Sequence, residues 1–119
     1  MSRGRSGAAL ATGSLSEAAP VFAALGDPTR LRLVVRLCKD GPLSIVRLCE
    51  SADVTRQAVT KHLEALAEAG LLRDTRVGRE RLWELEPRRL AQARRCLDQI
   101  AAQWDDAIER LRAHLDEDD

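Results

Sequence analysis

The chain has 119 residues, of which 45% are hydrophobic and 32% charged, and its 19 Lys and Arg balance its 19 Asp and Glu. This length predicts one domain with a modest core, and the absence of an apolar run of about eighteen residues predicts no membrane span. An odd number of cysteines, three, excludes a regular disulfide framework and indicates a reducing, cytoplasmic compartment.

Charge is unevenly distributed along the chain. Residues 28–82 contain 11 Lys and Arg against 7 Asp and Glu, whereas residues 83–119 contain 6 against 10. A basic middle and an acidic end indicate that only the middle segment faces a polyanion such as nucleic acid.

The N-terminal part is predicted to contain a leader and one helix. Residues 1–14 are rich in Gly, Ser, Ala and Arg, which is typical of a disordered leader, and they lack the sustained apolar run of a secretory signal. Residues 15–119 are predicted to form the folded domain. Its first helix extends from about Ser16 to Leu25, and Pro20 leaves its start open because proline is tolerated only near a first turn.

The second helix is predicted within "DPTRLRLVVRLCKDG". Asp27 suits the N-cap, Pro28 the first helical position and Gly41 the C-terminal exit. The predicted buried stripe consists of Leu31, Val34, Val35 and Cys38.

Two further helices joined by a short turn match a helix-turn-helix. Ser44 is the predicted cap of the first of them, and its inward residues are Ile45, Leu48 and Cys49. Thr55 caps the second, which continues to about Ala69 and stops at Gly70. Its apolar stripe is Val59, Leu63 and Leu66. The opposite face carries hydrogen-bonding side chains: Arg56, Gln57, Thr60 and Lys61, followed by Glu64.

A hairpin and a long helix complete the predicted domain. Two extended runs flank Val77-Gly78-Arg79-Glu80, where glycine permits a turn, and four arginines cluster around its tip: Arg73, Arg76, Arg79 and Arg81. A helix then extends from Pro87 to about Leu115. Its apolar residues repeat every seven positions, which is close to coiled-coil spacing: Leu90, Leu97, Trp104 and Leu111.

Three sequence segments resemble those of a known family: "ALGDPTRLRLVVRL", "VTRQAVTKHLEALAEAGLL" and "VGRERLWEL". Their order and spacing resemble the ArsR/SmtB family of dimeric winged-helix repressors. The resemblance covers about residues 16–115. It implies a mainly α winged helix-turn-helix fold, in which the hairpin between the fourth and fifth helices is the wing and the first and last helices form the dimer.

The resemblance implies that the second segment, "VTRQAVTKHLEALAEAGLL", contains a recognition helix that enters the major groove of double-stranded DNA. Arg56 suits guanine and Gln57 suits adenine, each contact contributing about 1–3 kcal/mol of discrimination, whereas Lys61 suits the phosphate backbone. Wing arginines are expected at the adjacent minor groove or backbone. The predicted DNA-binding residues are Thr55, Arg56, Gln57, Thr60, Lys61, His62, Arg76, Arg79 and Arg81.

The implied homodimer agrees with the apolar patterning, because a monomer of this size would expose a large apolar patch. A two-fold dimer places two recognition helices about 34–36 Å apart, one turn of duplex, on a palindromic operator. The predicted interface residues are Phe22, Leu25, Leu90, Leu97, Ile100, Trp104, Ile108 and Leu111.

No cofactor is evident from the sequence. Arsenic-sensing relatives have a Cys-x-Cys pair before the recognition helix, whereas this chain has only Cys49 there. Metal-sensing relatives use Asp, His and Glu ligands on the last helix, and here Asp105 and Glu109 lack a second histidine beside them. Cys96 is expected at the edge of the dimer stripe, where it is available for a disulfide with its two-fold mate or for a soft metal. A thiol sensor of Cys96 and Cys49 is therefore one alternative, and the inducer stays open.

The sequence leaves two other classes of function open. A winged helix whose basic face docks an acidic protein would bind no DNA sequence in preference to random duplex. An enzyme finds little support, because no nucleophile elbow or glycine-rich phosphate loop occurs. A cysteine nucleophile with His62 as its base is the remaining enzymatic alternative, and Cys38 and Cys49 are predicted to be buried.

Overall fold

The computed structural model describes residues 12–117, so most of the predicted leader, residues 1–11, lies outside the described residues. Within residues 12–117, five helices and three short strands follow one another. Their bounds are α1 Thr12–Leu25, α2 Pro28–Asp40, β1 Leu43–Ser44, α3 Ile45–Glu50, α4 Arg56–Glu68, β2 Leu72–Val77, β3 Glu80–Leu85 and α5 Pro87–Glu117.

The first helix starts earlier than predicted and contains Pro20 in its interior. Ala18, Val21 and Ala24 are buried on one face of α1, which contacts α2, α4 and α5. The apolar contacts of this face offset the backbone hydrogen bond that an interior proline removes. Residues 12–14 therefore belong to the helix rather than to the leader.

The predicted caps of three helices are confirmed. The carboxylate of Asp27 accepts from the backbone N–H of Thr29 (2.8 Å) and Arg30 (3.1 Å). The hydroxyl oxygens of Ser44 and Thr55 accept from the backbone N–H groups of α3 and α4, respectively. These bonds satisfy donors that have no partner within a helix and fix where α2, α3 and α4 begin.

The pKa of the Asp27 carboxyl lies below its usual value of 3.8, chiefly because the backbone N–H of Arg30 donates to it. Desolvation opposes this effect, whereas the bond from Thr29 and the electrostatic interactions with His62 and Arg30 add to it. Since the folded pKa is depressed, the charged cap contributes stability above the unfolded pKa. That contribution is lost as the pH falls through the folded value.

The buried face of α2 differs from the prediction. Val34 is buried as expected, but its companions are Leu33 and Leu37, whereas three residues of the predicted stripe lie at the surface: Leu31, Val35 and Cys38. The apolar residues of this helix form a broad arc rather than a narrow stripe, so periodicity alone allowed two stripes that share Val34. Contacts with α1, α4 and β3 bury the stripe of Leu33 and Leu37.

The hairpin is confirmed, and it belongs to an antiparallel sheet of order β1-β3-β2. The two residues of β1 pair with Trp83 and Leu82 of β3, a strand too short to produce a recognisable alternation in the sequence. Trp83 is buried and joins the wing to the core. The core also includes six completely buried side chains: Val21, Leu48, Val59, Leu63, Leu66 and Leu71.

Gly70 connects the recognition helix to the wing in the left-handed region, with φ of 85°. A Cβ at this position would lie 2.8 Å from Nε of Arg89 on α5. Gly70→Ala should therefore lower the free energy of unfolding by more than the roughly 1–2 kcal/mol of left-handed strain alone. Gly78→Ala is the matched control, because Gly78 has a φ of 64° and open space around it. Equal losses in chemical denaturation of the two variants would contradict a close contact with Arg89.

Candidate nucleic-acid interface

The N-terminal half of α4 presents an exposed polar face, while Val59, Leu63 and Leu66 anchor its other side in the core. Arg56, Gln57 and Lys61 are exposed, and among residues 12–117 their side chains have no hydrogen-bond or ion-pair partner. They are therefore available to a ligand without first breaking an internal contact. This face is the one that the sequence assigned to base and backbone contacts.

The two threonines of this face are partly engaged within the protein. The Oγ1 of Thr55 accepts from the N–H of Ala58 (3.1 Å), so its hydroxyl hydrogen stays available to a phosphate. The Oγ1 of Thr60 donates to the carbonyl oxygen of Arg56 (3.0 Å), so its lone pairs stay available instead. The hydroxyl of Thr55 thus still offers a donor and one lone pair to a ligand, whereas that of Thr60 offers only lone pairs.

His62 lies on the side of α4 that meets α2. Its Nδ1 accepts from Nε of Arg30 (3.3 Å), and the Nη1 of Arg30 also reaches the carbonyl oxygen of Ala24 (3.4 Å). Arg30 thereby connects the end of α1 and the start of α2 to the recognition helix. This geometry gives half-buried His62 an internal hydrogen bond with Arg30, and a contact of His62 with DNA stays a prediction.

The wing arginines divide into two groups. Arg73 forms ion pairs with Glu84 and Glu86, both at 3.1 Å. Arg81 pairs with Asp74 at 2.8 Å, and its guanidinium carbon lies 4.5 Å from the centre of the Trp83 ring. Arg76 and Arg79 are exposed and have no such partner within the described part of the chain.

A groove of about 420 Å³ separates the recognition helix from the wing. Arg56 and Thr60 form its α4 side, Arg79 and Arg81 form its wing side, and Trp83 also lines it. Three guanidinium groups around one groove favour an anionic ligand, and the backbone of a nucleic acid supplies regularly spaced anions. The structure therefore unites residues of the helix-turn-helix and the wing in one basic surface.

Two features of this surface were not predicted from the sequence. The first is the set of carboxylates that form ion pairs with wing arginines, namely those of Asp74, Glu84 and Glu86. The second is the contact that Arg30 makes with His62. The opposite charges in "RDTRVGRERLWELE" were a usable signal for the wing pairs, because cross-strand neighbours of opposite charge attract. The contact made by Arg30 joins residues 32 positions apart, and no local pattern indicates it.

The burial of the three cysteines agrees only in part with the predictions. Cys38 is exposed, whereas it was predicted to be buried, and Cys96 is only 5% exposed. The side of α5 that carries Cys96 is covered within one chain, and its predicted place at the edge of the dimer stripe stays a prediction. Cys49 packs partly buried against the core as expected. Within the described residues, no three His, Cys, Asp or Glu side chains are grouped to hold a metal ion.

Comparison with known proteins agrees with this geometry. Residues 25–75 match the model of a helix-turn-helix domain family. The chain is 34% identical over 93 residues to the arsenical resistance operon repressor of Escherichia coli, an alignment that covers 78% of this chain and 77% of that protein. The chain belongs to the ArsR/SmtB family of winged helix-turn-helix transcriptional regulators. It is thus a DNA-binding regulator and not an enzyme.

Two further proteins support the assignment of this regulator to the ArsR/SmtB family. The HTH-type transcriptional regulator Rv2034 of Mycobacterium tuberculosis is 40% identical over 77 residues, which are 65% of this chain and 71% of that one. The solved structure of an ArsR-like transcriptional regulator from Rhodococcus sp. RHA1 superposes with a TM-score of 0.75 at 35% identity, over 86% of this chain and 95% of that one. No helix among the described residues of the regulator is both long and apolar enough to cross a membrane.

Proposed function

We propose that this regulator is a homodimeric repressor that binds a palindromic operator and occludes a promoter in the cytoplasm. The observation that carries the proposal is the unengaged row of Arg56, Gln57 and Lys61 at the start of the recognition helix. Guanidinium and amide groups at this position suit guanine and adenine edges in the major groove. The name of the Escherichia coli relative, a repressor, supports repression as the outcome.

The proposed dimer rests on the apolar surface of α5. This helix of 31 residues extends beyond the core, and the exposed fractions of Leu97, Ile100, Trp104 and Leu111 are 54%, 46%, 66% and 53%. Ile108 is half-buried, whereas Phe22, Leu25 and Leu90 already pack against the core of their own chain. A contiguous apolar surface of this kind favours a second copy. We therefore place the centre of the interface on α5 and the other three residues at its border.

Selection of bound sequences from random duplex tests the proposal. A palindrome with two half-sites is expected, and it should be bound about 10³-fold or more tightly than random duplex at the same salt concentration. Binding is expected to persist in the presence of a chelator, since the proposal includes no resident metal. Equal affinity for selected and random duplex would favour the alternative, in which the basic face docks an acidic protein.

A further inference from the structure

Asp74 lies on the wing face that is turned toward the recognition helix. In the register of β2 and β3, Asp74 is opposite Trp83 and Arg76 is opposite Arg81. Side chains alternate between the faces of a strand, so these four side chains share one face. Trp83 on this face is buried, and Arg81 lines the groove together with Arg56 of α4. A carboxylate therefore sits within the basic surface proposed to receive DNA.

The contact between Asp74 and Arg81 can open. Its Nε–Oδ2 distance is 2.8 Å, but the two side chains are 47% and 48% exposed. Water reaches both groups, so separating them costs little. Stacking on Trp83 holds the guanidinium of Arg81 in place when the carboxylate leaves. The guanidinium thus stays oriented for another oxygen anion.

Asp74 also offsets a local repulsion. Arg76 and Arg81 are directly opposite each other, and like charges in that position destabilise a strand pair. A phosphate beside Arg81 would offset the same repulsion, because phosphate and carboxylate oxygens accept hydrogen bonds from guanidinium in the same way. The carboxylate and a backbone phosphate therefore compete for one cation.

We propose that Asp74 is an internal counter-ion of Arg81 that competes with a DNA phosphate and so sets how strongly the wing contributes to binding. The inference rests on the proposed binding of DNA through this surface. Backbone contacts carry no base information. Asp74 accordingly determines the affinity for every duplex and leaves the preference between sequences unchanged.

Asp74→Asn tests this role, because it removes the charge and keeps the size of the side chain. The affinities for operator and for random duplex should both rise by the same factor, about two- to fivefold, as expected when an exposed ion pair no longer has to open. The slope of log K against log salt should become steeper by up to about 0.9, because no carboxylate then offsets the charge that Arg81 brings to the phosphate. Asp74→Ser provides a second variant without the charge.

Glu80→Gln is the matched control. Glu80 is exposed at the start of β3, lines the same groove and has no ion-pair partner among the described residues. Its loss removes the same charge from the groove but releases no paired cation, so affinity and salt slope should rise less than they do for Asp74→Asn. In an Arg81→Gln background, Asp74→Asn should have no further effect on affinity. The proposal is overturned if Glu80→Gln raises affinity and salt slope as much as Asp74→Asn does, or if Asp74→Asn still raises affinity in the Arg81→Gln background.

Titration of the wild-type protein distinguishes a failure of the proposed function from a failure of the role proposed for Asp74. Wild-type protein that shows no preference for its selected duplex contradicts the proposed function. If the wild-type protein and Asp74→Asn bind the operator with the same affinity and salt slope, only the role proposed for Asp74 is contradicted.

Discussion

Trp104→Glu should convert the dimer into monomers that bind the operator at least about a hundredfold more weakly. The side chain of Trp104 is 66% exposed in one chain, so the substitution leaves the core of the monomer intact. In the proposed dimer the same substitution places a charge between two apolar surfaces, where it is strongly disfavoured. A monomer loses the gain of about 10²–10⁴ that two linked binding modules provide.

Sedimentation velocity combined with operator titration measures both effects of Trp104→Glu. Ala102→Glu is the matched control, because Ala102 is exposed and lies two positions from Trp104, on the opposite side of α5. The control should stay dimeric and bind normally. If Trp104→Glu also sediments as a dimer, the interface does not contain the exposed stripe of α5.

Arg56→Ala and Gln57→Ala should each weaken operator binding and relax the base preference at one position of each half-site. The expected loss is about 1–3 kcal/mol for each contact. Both side chains are exposed at the start of α4 and have no partner within the described residues, so their removal should leave stability nearly unchanged. The measurement is competition binding with operators that carry each base at each position.

Lys61→Ala is the control that separates base contacts from backbone contacts. Lys61 lies one turn further along the same exposed face and is assigned to phosphate. Its loss should weaken binding to all sequences about equally and reduce the salt slope by about 1. An unchanged base preference in both Arg56→Ala and Gln57→Ala would show that another part of the protein reads the sequence.

The order of the elements was predictable from the sequence because local signals mark their ends. Asp27, Ser44 and Thr55 cap helices where expected, and Gly78 forms the predicted turn of the wing. The buried face of α2 was not predictable from periodicity, since its apolar residues form a broad arc and tertiary contacts select which of them are buried. The start of α1 escaped prediction because Pro20 suggested a boundary, whereas the buried face of Ala18, Val21 and Ala24 continues on both sides of that proline.

The candidate site was predictable in its position and less so in its electrostatics. The exposed residues of α4 follow from the spacing of Val59, Leu63 and Leu66, which turns the remaining face outward. The four wing arginines looked equivalent in the sequence. Their division into paired and unpaired groups depends on which carboxylate the β2–β3 register places beside each guanidinium.

Methylation interference on the selected operator tests most directly whether paired recognition helices read one face of the duplex. Methylation of guanine N7 blocks the contact proposed for Arg56 in the major groove. We predict two clusters of interfering guanines centred about 10–10.5 base pairs apart, both of which disappear for Arg56→Ala. A single cluster, two clusters on opposite faces of the duplex, or an unchanged pattern with Arg56→Ala would contradict the arrangement.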